Sequence, residues 1–125
     1  MEHETKKVLI VNSGITYSDF LKWGIEKVMP SLSIAVAESG EKALELTGHN
    51  GYDLVITDRV LPGMGGVNLF YELKERYPLL KTILLSDCFD IREMKALEKE
   101  GLFGYIEKPF LLESLSELIE RAFRS

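Results

Sequence analysis

The chain has one cysteine, Cys88, so no internal disulfide can form and a reducing compartment is the expectation. Histidine is nearly as scarce: His3 and His49 lie far apart, and neither has a partner at metal-ligand spacing. No apolar run approaches the roughly 20 residues of a membrane span. The amino end, Met1 to Lys7, has charges but no long apolar core behind them, so it does not read as a signal peptide. Basic residues are outnumbered, 15 against 20 acids, and the net charge of -5 argues against a nucleic-acid surface. The acids are scattered, as on solvated helix faces. Repeats, low-complexity segments and linkers are all lacking. What remains is ordinary globular composition, 46% apolar and 28% charged. The expectation is one cytoplasmic domain, 1–125, with no nucleic acid and no membrane as partner.

Short β-branched runs alternate with helical periodicity along the chain. Val8 to Val11 reads as a buried first strand, ended by Asn12-Ser13-Gly14. Tyr17, Phe20, Leu21, Gly24 and Val28 recur at helical spacing until Pro30. Trp23 at the same spacing reads as packing. Ser33 to Ala37 is a second strand, and Ser39 caps a helix that Asn50-Gly51 ends. Leu54 to Thr57 is the third strand. Val67, Phe70, Leu73 and Tyr77 mark a helix closed by Pro78, and Thr82 to Leu85 is the fourth strand. Asp90 and Glu93 have capping-box spacing before a helix that runs to Gly101. Phe103 to Ile106 is the fifth strand. A final helix carries Leu111, Leu115, Leu118, Ile119 and Ala122 on one stripe.

Five strands alternating with five helices over short connections mean a parallel sheet covered on both faces, an α/β fold. In the flavodoxin-like order 2-1-3-4-5, ligands bind beyond the carboxyl ends of the strands. That order gathers Asn12, Ser13, Asp58, Ser86 and Lys108 at one edge. Asp58 ends the central strand, before a loop holding Pro62, Gly63, Gly65 and Gly66. A carboxylate there can attack phosphorus to form an acyl phosphate, chemistry that rests on positioning and charge neutralisation. Lys108 supplies a cation and Ser86 a hydroxyl; the backbone carbonyl of Val60 is a hard oxygen suited to Mg²⁺. Singly each has a plainer reading, Asp58 and Ser86 as turn formers and Lys108 as a solvated charge. Together on three strand ends they are more specific.

The segments Asp53-Leu54-Val55-Ile56-Thr57-Asp58, Leu61-Pro62-Gly63-Met64 with Gly66, Ile83-Leu84-Leu85-Ser86 and Tyr105-Ile106-Glu107-Lys108-Pro109-Phe110 resemble the receiver domain of bacterial two-component response regulators. The likeness covers nearly the whole chain. It implies that Asp58 accepts a phosphoryl group from a partner histidine kinase or phosphotransfer protein. It also implies that Ser86 and Lys108 contact that group, that Lys108–Pro109 is cis, and that Tyr105 is the aromatic that reports the switch. A signalling module is implied rather than an enzyme, with a homodimer as a further association.

The departures from the family lie around the metal. The first strand of a receiver ordinarily ends in two acids that hold Mg²⁺; here Asn12 and Ser13 stand there. Neutral oxygens in place of charged ligands should cost at least ~10–100-fold in metal affinity. Asp87 follows the hydroxyl where the family commonly has a small residue. It either crowds the pocket or turns inward as a substitute ligand. Gly65 stands where an acid is common. Two alternatives therefore stay open: a phosphorylation-independent pseudo-receiver that works by protein interaction or dimerisation, and, remotely, a flavin-binding domain. The flavin reading rests on the hydroxyl-rich Ser13 to Ser18 turn at a helix start; the plainer reading is that Ser13, Thr16 and Ser18 cap that helix.

Overall fold

The β-branched runs form the strands the alternation requires. In a computed structural model, which describes residues 5–125, the elements are β1 (Lys7–Val11), α1 (Ile15–Val28), β2 (Ser33–Ala37), α2 (Gly40–His49) and β3 (Leu54–Asp58), followed by α3 (Gly66–Arg76), β4 (Lys81–Ser86), α4 (Ile91–Lys99), β5 (Gly104–Glu107) and α5 (Leu112–Arg124). The five strands make one parallel sheet in the order β2-β1-β3-β4-β5. Both faces are covered, which is why Val8 to Ile10 and Leu54 to Ile56 are fully buried rather than alternating.

One core lies between the sheet, α1 and α5, around Ile10, Ile25, Ile56, Leu85, Leu115 and Ile119. A second, under α2 and α3, gathers Leu9, Val55, Leu69 and Leu73. A third, smaller one joins Phe70, Leu84, Met94, Leu97 and Leu102, with Tyr105 and Phe89 packed against it. Ser39 caps α2 by accepting from Lys42 N. At the C-terminus of α5, Lys81 Nζ donates to the carbonyls of Ala122 (2.6 Å) and Ser125 (2.9 Å), so a cation meets the negative end of the helix. No helix among the described residues is long and apolar enough to cross a membrane.

Several side chains take other places than their spacing suggests. α1 buries Ser18, Leu21, Gly24 and Ile25, whereas Phe20, Trp23 and Val28 are exposed, so Trp23 is not core packing. Helical spacing marks a stripe wider than the one the sheet covers. The helix-start hydroxyls do not cap α1: Gly14 holds the cap position without a side-chain cap, and Ser18 Oγ instead donates to the Asn12 carbonyl. Asp90 caps α4 by accepting from Arg92 N, but Glu93 reaches across to Arg59 (2.8 Å), so no capping box closes. Leu111 is exposed at the cap position of α5, outside its apolar stripe. His3 lies outside the described residues, and His49 ends α2 at the surface.

Candidate functional site

Register brings the carboxyl ends of four strands to one edge. Val11 pairs with Thr57, Asp58 with Leu85 and Ser86 with Glu107. The ladder continues one bond past each strand: Asn12 N donates to Ala37 O (3.0 Å), Arg59 N to Leu85 O (2.7 Å) and Lys108 N to Ser86 O (2.8 Å). The loop after Asp58 folds tightly back, with Gly66 N donating to Arg59 O (2.8 Å). A Cβ on Gly66 would lie 2.1 Å from the Asp58 carbonyl oxygen, so only glycine fits there.

The Asp58 carboxylate is held on both oxygens. Oδ2 accepts from Asn12 Nδ2 at 2.8 Å. Oδ1 lies 2.6 Å from Lys108 Nζ, with directions outside ordinary hydrogen-bond geometry, so the contact is best described as a close ion pair. Only 14% of the Asp58 side chain and 20% of that of Lys108 are exposed. Burial pushes the Asp58 carboxyl above the usual carboxylate range. The Lys108 ammonium opposes this by contact and by charge, and Asp87 adds to the rise. Lys108 Nζ also sits 4.7 Å from the centre of the Tyr17 ring.

Ser86 is buried; its hydroxyl donates to Cys88 O (2.9 Å) and accepts from Cys88 N (3.4 Å). A cavity of about 470 Å³ opens over Asp58, lined by Val60, Ser86, Asp87 and Lys108 among others. Asp87 stands exposed at its rim, and Val60 is exposed in the loop. The Arg59–Glu93 ion pair ties that loop to α4. The Lys108–Pro109 bond is cis. Tyr105 is half-buried in β5, packed edge-on against Phe89 with ring centres 5.0 Å apart.

The residues present do not fit an Mg²⁺ ion of ordinary affinity. Asn12 turns its donor end to Asp58, and its oxygen accepts from Gly14 N at 2.7 Å, so both ends of the amide are taken. Ser13 is exposed and brings no charge. No three acids, histidines or cysteines among the described residues come together as a cation cage, and Asp87 is exposed where it lines the cavity over Asp58.

Spacing found Asp58, Ser86, Lys108 and Asn12, and the fold brings them together; Tyr105 stands apart in the third core. Two features beside these residues escaped it. Tyr17 read only as one more apolar helix residue, and the Arg59–Glu93 pair joins loop to helix across 34 positions, beyond any local pattern.

Comparison with known proteins identifies the family. Residues 8–120 match the response regulator receiver domain family, and the chain belongs to it. It is a receiver domain of two-component signal transduction. In the DNA-binding transcriptional regulator NtrC of Escherichia coli strain K12, 104 residues are 29% identical, covering 82% of this chain and 22% of that protein. The transcriptional regulatory protein GlrR of the same strain is 28% identical over 122 residues, covering 98% and 27%. The chain thus spans about a quarter of the length of these curated relatives. A response regulator receiver domain protein from Clostridium thermocellum superposes with a TM-score of 0.87 at 27% identity, covering 95% of this chain and 94% of that one.

Proposed function

We propose that this receiver, a single domain over 1–125, accepts a phosphoryl group on Asp58 without calling on a bound divalent cation. The observation that carries the reading is the two-sided hold on Asp58, with Asn12 Nδ2 on one oxygen and Lys108 Nζ on the other. A free lone pair of the carboxylate attacks phosphorus, and the bond from phosphorus to the donor's imidazole nitrogen breaks. The Lys108 ammonium and the Asn12 N–H groups then face the transferred phosphoryl oxygens. Ser86 joins them once its hydroxyl turns from Cys88 O. With less charge to neutralise the phosphoryl group, transfer is slow.

The donor is a histidine kinase or phosphotransfer protein. An apolar groove lined by Tyr17, Phe20, Leu21, Pro109, Phe110 and Leu111 shares Asp87 and Lys108 with the acceptor cavity, a surface suited to such a partner or to a second copy of the chain. The module signals and is not itself an enzyme, works in the cytoplasm, and uses the ring of Tyr105 in the third core as its readout. A second reading, a phosphorylation-independent interaction module, is favoured by one observation: the end of β1 offers the neutral Asn12 and Ser13 where metal-assisted transfer needs charged oxygens. Intact mass after incubation with a small phosphodonor, with and without Mg²⁺, separates the two. Acceptance gives one phosphoryl adduct that Asp58→Ala abolishes; the second reading gives no adduct and partner binding that ignores Asp58→Ala.

A further inference from the structure

We propose that Tyr17 is a positioning residue for Lys108, its ring face seating the ammonium that is held on Asp58. A lysine head group is a compact charge on a flexible four-carbon stem, so an ion pair alone does not fix its place. Here Nζ is confined from two sides, 2.6 Å from Asp58 Oδ1 and 4.7 Å from the centre of the Tyr17 ring. Such a distance lies within the range where a ring quadrupole attracts a cation, and partial burial strengthens the attraction.

The ring is itself anchored. Tyr17 stands in the first turn of α1 and packs against the core shared by β1, α1 and α5. The same turn is tied to the end of β1 by Gly14 N on Asn12 Oδ1 (2.7 Å) and by Ser18 Oγ on Asn12 O (3.4 Å). Asn12 therefore links the two holds: its side chain grips Asp58 directly, and its backbone and amide oxygen locate the turn that carries the ring. Burial first, then the charges of Asp58 and Asp87, raise the Tyr17 hydroxyl above its ordinary value. The ring stays neutral at pH 7, as a seat for a cation must.

The test reads the unphosphorylated protein, so its outcome is independent of whether Asp58 accepts a phosphoryl group. The Asp58 carboxyl is titrated by carbon-13 NMR, and the Lys108 ammonium is followed by nitrogen-15 NMR, in wild type, Tyr17→Phe, Tyr17→Leu and Lys108→Ala. Tyr17→Phe keeps the ring and is expected to match wild type. Tyr17→Leu is expected to raise the Asp58 pKa by about half a unit, less than Lys108→Ala does, and to broaden the ammonium signal through faster exchange. Wild-type values in Tyr17→Leu, a fall in the Asp58 pKa, or a Tyr17→Phe that behaves like Tyr17→Leu would each overturn the proposal. Tyr17→Met, a flexible apolar filler, takes the place of Tyr17→Leu if that variant fails to fold.

Discussion

The two oxygens of Asp58 meet unlike neighbours. Oδ1 faces a cation, Lys108, delivered by the end of β5 and backed by an aromatic ring. Oδ2 faces a neutral amide, Asn12, delivered by the end of β1 and tied to its own following turn. Both contacts are short, yet they do different electrostatic work. The lysine offsets the cost of burying the carboxylate; the amide only satisfies a lone pair. The balance falls short of full compensation, because burial still leaves the Asp58 carboxyl above its ordinary range. A receiver edge with acids at the end of β1 would add charge there and call for a cation to neutralise it.

The largest disturbance acts on both flanks at once. Gly66→Ala forces a methyl group 2.1 Å from the Asp58 carbonyl oxygen and 2.9 Å from the Arg59 Cα. Backbone cannot step aside as a flexible side chain can, so a loss of about 3 kcal/mol or more is expected by urea unfolding.

Altering one flank sharpens the contrast. Asn12→Asp sets a second carboxylate against Asp58, which should lower stability at pH 7 by about 1–2 kcal/mol through like-charge repulsion. Millimolar Mg²⁺ should recover much of that loss in a thermal melt and leave wild type unmoved, because only the variant sets a second carboxylate directly against Asp58.

The smallest effect is a slope. The folded pKa of Asp58 lies above its unfolded value near about 3.9, so between the two the folded state holds more protons. Stability from this group therefore falls as pH rises through that window. Asp58→Asn removes the titration but leaves Lys108 without its partner, a cost that does not change with pH there. The stability of the variant relative to wild type should rise across the window and then level off. A flat difference would mean that Lys108 fully offsets the burial.

Much of this edge is legible from the chain alone. Val8 to Val11 and Leu54 to Thr57 are continuous apolar runs because a parallel sheet buries both faces, and right-handed crossovers leave few strand orders, of which 2-1-3-4-5 is the one observed. Asp58, Ser86 and Lys108 stand where those runs stop. What a linear reading misses is direction. Asn12 looks like a weakened ligand until its amide is seen turned donor-first onto Asp58, with its oxygen taken by Gly14 N. Ser86 looks free, yet its hydroxyl points to the Cys88 carbonyl. Phe20 and Trp23 keep helical spacing but lie on the open side of α1, since Ser18 and Gly24 sit where the helix meets its neighbours. Such facts depend on side-chain torsions and on contacts between distant segments, neither of which leaves a local trace.

The most direct measurement is intact mass of the wild-type protein after incubation with a small phosphodonor, run with Mg²⁺ and with a chelator. A single phosphoryl adduct of similar yield in both conditions, absent in Asp58→Ala, is the expected result. No adduct in wild type, with one appearing only after Asn12→Asp and Ser13→Asp together in the presence of Mg²⁺, would contradict it.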